Sequence, residues 1–342
     1  MKSSILLIIV AVVATLMVVN SVGININSQQ QHQQIHNRVS KTRQLNPNCT
    51  TPNITRLHQY IDATVASYGY CEGTEWAFSD FITEPFIESY NANNSQQTAS
   101  TIKLWVLIAV LQDVQNGLYS LDTVIECSGQ NLTINGCLAL MIGISDNCAT
   151  FDMTKQTTLT HVNEVFASLG MTNSQFHEWC FTTCPGYTSP CPNNDGTGLD
   201  NVLSSHDVVH GLQLLHSFEA LPENYTYQAY KYLLTAHGWT PMLGLLVPAP
   251  VAHKQGWLPA DEGFIPFTEN DEAIVFSECG DYAASVMITR NWTNPQEDNY
   301  ALALGAQIGR LAYCTMVPFG YANDGIACEQ TWSQPLPSPT GC

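Results

Sequence analysis

The segment STIKLWVLIAVLQDVQNG runs from Ser100 to Gly117. Its apolar residues leave almost no polar face, so it predicts a helix buried on most of its circumference. Gly117 suits the C′ position that ends such a helix. Lys103 stands inside this apolar run, three residues after Ser100. On a helix that spacing puts both side chains on one face, one turn apart. Ser100 sits at the helix mouth, where unpaired N–H groups and the dipole favour an alkoxide or oxyanion. A desolvated lysine has its pKa pushed down, and its neutral form can take the serine proton. Standing alone, S-x-x-K has a blander reading: an N-cap serine and a lysine that snorkels to solvent.

Two further signals follow in chain order. Ser145-Asp146-Asn147 ends a second apolar segment, LTINGCLALMIGI. Three small polar residues there read either as a capping turn or as a proton conduit, Ser145, beside a substrate-holding amide, Asn147. His253-Lys254-Gln255-Gly256 lies on a predicted strand. A strand lysine normally occupies an edge or a solvent face. Here it brings a second cation, and the glycine lets a substrate approach the backbone.

In this order, the three elements resemble the penicillin-recognising serine acyltransferases, above all class A β-lactamases with S-x-x-K, S-D-N and K-T-G. The similarity covers about Ile54 to Met316. It implies that Ser100 is the acylated nucleophile and Lys103 its base, directly or through water. It implies that Ser145 passes the proton to the leaving nitrogen, supported by Lys254. Asn147, Gln255, Gly256 and Trp257 would hold substrate, with the Ser100 and Trp257 backbone N–H groups as the oxyanion hole.

Two departures stand out. Gln255 replaces a hydroxyl residue that binds the substrate carboxylate in the family. The glutamate of the family's E-x-x-L-N loop, which activates the deacylating water, has no clear counterpart. Glu178 falls near that place but continues as EWCFT. It reads either as an exposed loop carboxylate or as a deacylation base. Without such a base, acylation survives and hydrolysis slows.

The 342 residues carry a formal net charge of −18, which repels nucleic-acid backbones. ILLIIVAVVATLMVV, from Ile5 to Val19, follows Lys2 and is short for a membrane span, so residues 1–22 read as a signal peptide. Twelve cysteines and six sequons, at Asn48, Asn53, Asn93, Asn131, Asn224 and Asn291, fit an oxidising, glycosylating route to the extracellular space or a secretory-endosomal lumen. Two of Cys180, Cys184 and Cys191 are expected to close a local disulfide. Residues 23–53 read as a Gln-rich disordered linker, 54–316 as the hydrolase domain and 317–342 as a Pro-rich, Cys-containing tail.

The predicted fold is α/β of α+β type. An antiparallel sheet is completed by both chain ends and flanked by helices, with an all-helical lobe between. The resemblance makes this β-lactamase/transpeptidase-like. DATVASYGYCEGTEWAFSDF reads as strand-like, and three more strands are expected after Pro250. His206 and His210, at i and i+4, could share a metal but are usual surface residues, so no metal or other cofactor is expected. A monomer is expected, with a small-molecule or peptide substrate. The expected activity is a secreted serine hydrolase acting on β-lactams or related acyl amides. D-alanyl peptidase, glutaminase and esterase activities stand as alternatives, as does a binding protein that has lost turnover.

Overall fold

The computed structural model describes residues 46–82, 86–177, 184, 201–236, 242–259, 267–290 and 297–333. The proposed signal peptide, Glu178, Cys180, Cys191 and Asn291 lie outside them. Helix α1, Ile54–Ser67, opens with Asn53, whose side chain accepts from Arg56 N. Leu57, Ile61, Thr64 and Val65 are buried at helical spacing. That periodicity overrides the strand-like composition of Asp62–Ser67, and the strand, β1, is confined to Thr74–Ser79.

β2 (Ile87–Glu88) and β3 (Gln96–Gln97) lead to a 3-10 turn, Ala99–Thr101, and then to α2, Ile102–Gln115. Every residue from Ile102 to Leu111 is fully buried. Gly117 takes φ +75°, as a C′ residue does. The hairpin β4–β5 (Val124–Cys127, Gln130–Thr133) precedes helices α3 (Ile134–Gly143), α4 (Asn147–Thr157) and α5 (Leu159–Ser168). After β6 (Val202–Leu203) come α6 (Ser205–His216) and α7 (Glu223–Leu233). Ser204 caps α6 by accepting from Asp207 N, as the Ser-x-x-Asp spacing predicts.

The chain then returns as β7 (Val251–Leu258), β8 (Phe267–Ser277), β9 (Gly280–Arg290), α8 (Glu297–Met316) and α9 (Cys328–Ser333). The five-stranded sheet has the order β2-β1-β9-β8-β7, with all pairs antiparallel. It is therefore completed by both ends of the domain, as expected. Its Trp76, Phe78, Val275, Val286 and Ile288 face pack with α1 and α8. These elements belong to the compact unit Leu45–Cys342.

Among the described residues, disulfides join Cys49–Cys279, Cys127–Cys137, Cys148–Cys184 and Cys314–Cys328. Cys71 is disulfide-bonded as well, and no described cysteine is free. Cys184 pairs with Cys148 rather than within its local cluster. Within the segment 317–342, α9 and the Cys314–Cys328 bond fix the described part against α8. Among the described residues, no helix is long and apolar enough to cross a membrane.

Candidate active site

α2 carries Lys103 into the protein with no exposed surface. Burying an ammonium is costly unless its donors are satisfied. Lys103 Nζ donates to Ser145 O (2.6 Å), Ser145 Oγ (3.0 Å) and Asn147 Oδ1 (2.7 Å). The turn that offers these acceptors is strained. Ser145 has φ +59°, a conformation few non-glycine residues adopt. Asp146 stabilises it from below as the N-cap of α4, accepting from Ala149 N and from Ser128 Oγ.

β7 supplies the other half. Lys254 is 1 % exposed, and its Nζ donates to Ser145 Oγ (3.1 Å) and Gln255 O (2.8 Å). One hydroxyl thus lies between two buried lysines. Burial, and next the neighbouring Lys254, pull the Lys103 amine well below the ordinary lysine range, while Asp146 opposes. Burial brings Lys254 down to about 8 against the pull of Asp271 and Glu272. With Lys103 neutral, its two hydrogens serve Ser145 O and Asn147 Oδ1. Its lone pair then accepts the Ser145 hydroxyl proton, and Lys254 donates to the same oxygen.

Gly256 brings Ser100 to this cluster. A Cβ on Gly256 would lie 2.4 Å from Thr98 O and 2.8 Å from Ser100 N, so only glycine permits β7 to lie against the 3-10 turn. Ala99, just before Ser100, has φ +48°. The Ser100 hydroxyl, half-buried, is not a partner in any of the three Lys103 bonds above, which all run to the Ser145 turn. Asn147 is exposed, Trp257 half-exposed and Gln255 buried at 5 %.

Sequence reasoning missed the support of the nucleophile turn. Asn270, fully buried in β8, donates to Gln97 O (2.7 Å) and Thr98 O (3.2 Å), and accepts from Ile288 N (3.0 Å). Gln96 donates to Glu75 Oε1 (2.8 Å) on β1. Burial raises the Glu75 carboxyl to about 8. The polar run Thr268-Glu269-Asn270 was the available signal, but it imitates a loop.

Other candidates fall away. His206 Nδ1 lies 2.7 Å from Glu88 Oε2, an ion-pair geometry rather than half of a metal pair with His210. Among the described residues, no group of three or more His, Cys, Asp or Glu could hold a metal ion. A cleft of about 360 Å³ lined by Gln112, Gln115, Asn116, Phe218 and Glu219 lies at the far end of α2 from Lys103.

This sheet, this helical lobe and this pair of lysines on one serine define the class of β-lactamase-like serine hydrolases. A model of the β-lactamase enzyme family matches residues 56–316, and the chain belongs to that family. Solved structures share its fold. A β-lactamase from Sphaerobacter thermophilus is 21% identical over 76% of this chain and 98% of its own, with a TM-score of 0.62. One from Chitinophaga pinensis is 19% identical over 75% and 98%, with a TM-score of 0.62. A PBP-A variant, solved as an acyl-enzyme complex with penicillin G, is 20% identical over 78% and 97%, with a TM-score of 0.60. No curated protein sequence matches the chain.

Proposed function

We propose that this chain is a secreted serine hydrolase that opens β-lactams or related acyl amides through an acyl-enzyme on Ser100. The observation that carries the reading is the convergence of Lys103 and Lys254 on Ser145 Oγ, beside a turn where Gly256 packs on Ser100 N. Ser100 Oγ attacks the substrate carbonyl carbon and its proton passes, directly or through water, to neutral Lys103. The oxyanion accepts from the N–H groups of Ser100 and Trp257. As the C–N bond breaks, Ser145 protonates the leaving nitrogen and is reprotonated from Lys103. Asn147 orients the substrate amide. Gln255 donates an amide hydrogen bond where relatives use a hydroxyl.

Hydrolysis of the ester is the slow step in this reading, because only Glu178 is available as a base and its sequence context departs from the family's. The acyl-enzyme of PBP-A with penicillin G supports the acylation half by analogy of fold. Secretion is supported by the Ile5–Val19 segment, the disulfides and the exposure of Asn48, Asn53, Asn93, Asn131 and Asn224.

Mass spectrometry after exposure to a fluorescent penicillin and a chromogenic cephalosporin tests the proposal. A stoichiometric adduct on Ser100, lost in Ser100→Ala, is expected. No adduct from any lactam would sink it and turn attention to glutaminase, esterase or non-catalytic binding roles.

A further inference from the structure

Strand β8 buries five consecutive polar side chains, Thr268 to Glu272. Glu269, Asn270, Asp271 and Glu272 are each at most 1 % exposed. Asn270 holds the carbonyls before Ser100. Asp271 accepts from Leu243 N (2.9 Å) and lies 3.0 Å from His253 Nδ1. Glu272 has no comparable structural task. Trp105 Nε1, two residues beyond Lys103 on α2, approaches its Oε2 at 3.3 Å, and its Oε1 is buried with no hydrogen-bond partner.

The register explains what Glu272 faces. It is directly opposite Lys254 in the β7–β8 pair, and opposed residues share one face of a sheet. On its other side, in β9, it is opposite the neutral Ser285. Asp271 adjoins it in β8, and α2 brings Trp105 to it. Asp146 lies beyond, at the Ser145 turn. The Lys254 ammonium is committed to Ser145 Oγ and Gln255 O. Lys254 and Glu272 therefore act on each other through space, in surroundings where water screens little.

Two buried lysines meeting one hydroxyl cannot both hold a full charge cheaply. We propose that Glu272 is a positioning residue: a buried carboxylate whose counter-charge keeps Lys254 in its ammonium form, so that Lys103 is the lysine that gives up its proton. The assignment rests on the acyl-transfer reading for its use, but not for its physics. Burial pushes the Glu272 carboxyl well up, and Asp271 beside it pushes the same way, while the Trp105 hydrogen bond and Lys254 oppose; burial pushes the Lys254 amine down, against the attraction of Asp271 first and Glu272 next. Glu272 neither gains nor loses a proton in the cycle.

The test is the Lys254 titration, followed by NMR of protein carrying carbon-13 at the lysine ε positions and assigned with Lys254→Arg. Glu272→Gln keeps the shape and the Trp105 contact but removes the charge. The Lys254 midpoint should fall by about one pH unit or more, and the alkaline limb of penicillin labelling should fall with it. Glu272→Asp should restore both. An unmoved Lys254 midpoint in Glu272→Gln overturns the proposal. A second measurement needs no variant: the Glu272 carboxyl carbon in the native protein should report an ionised group near neutral pH. A carboxyl that stays protonated from acid to mildly alkaline pH overturns it equally. If the Lys254 midpoint falls in Glu272→Gln while no lactam labels the native protein, the counter-charge stands and the acyl-transfer reading fails.

Discussion

The Lys103 and Lys254 side-chain nitrogens lie 3.0 and 3.1 Å from the same oxygen, Ser145 Oγ. If Lys103 works neutral and Lys254 charged, acylation has two limbs. The rate rises with pH as Lys103 loses its proton, which burial makes easy. It falls again as pH passes the Lys254 value of about 8. Penicillin labelling rates across pH should therefore trace a bell with its alkaline limb near that value. Lys254→Arg should move that limb upward, and Lys103→Met should cut the rate on the order of 10²–10⁴-fold.

Gly256→Ala tests the contact between β7 and the nucleophile turn. The added methyl would press on Thr98 O and Ser100 N, which are backbone atoms and cannot turn aside. Overpacking of this kind costs about 1–3 kcal/mol. Thermal unfolding should show a Tm lower by several degrees, and labelling of Ser100 should fall more than tenfold. Unchanged labelling would mean that Ser100 does not depend on β7 for its place.

Glu75 has its carboxyl raised by burial to about 8, against the hydrogen bond from Gln96. A carboxyl raised in the folded state binds its proton more tightly there than in the unfolded chain. Its contribution to stability is present below the unfolded value and lost as pH rises toward the folded one. Glu75→Gln, which keeps the acceptor, should match the native protein near pH 4 and exceed it by on the order of 2 kcal/mol above pH 8. Denaturant titrations at both ends of that window decide it.

Deacylation is expected to depend little on Glu178. Glu178→Gln should leave the lifetime of the penicillin adduct within about twofold, far less than the 10²–10⁴-fold loss that removing a working base causes. Fast native turnover that collapses in this variant would instead make Glu178 a true deacylation base.

The Cys148–Cys184 bond begins at the residue after Asn147 and closes a separation of 36 residues. A loop of that size is worth on the order of 3 kcal/mol. Replacing both cysteines with alanine should lower the Tm. It should also slow acylation more than Cys314→Ala/Cys328→Ala does, because that second bond lies between α8 and α9, away from the Ser145 turn.

Much of this was legible in the sequence, where spacing encodes one face. Ser100 and Lys103 were readable because an ammonium in an all-apolar helix has few explanations, and the sheet closed by both chain ends followed from where the strand-like runs fell. Helix α4 was not readable: CATFDMTKQT has no clean apolar period, and the helix is held by the Asp146 cap and the Cys148 bond instead. Asp62–Ser67 looked like a strand because it carries Thr64 and Val65 and runs into Tyr68 and Tyr70, yet Leu57 and Ile61 upstream set the period. The buried Asn270 and Glu272 were hidden because local polarity carries no record of the long-range register that covers it.

The buried polar run of β8 also bears on the nascent chain. β8 and β9 are each eleven residues long, and without Glu269, Asp271 and Glu272 the first would be an apolar, β-prone stretch. Such stretches pair with copies of themselves before their neighbours arrive. Three carboxylates, ionised while the segment is still in water, repel a second copy of the strand. The same side chains that are costly to bury in the finished sheet thus act as gatekeepers against aggregation during synthesis. Replacing Glu272 with valine would make a better strand and a more hazardous intermediate.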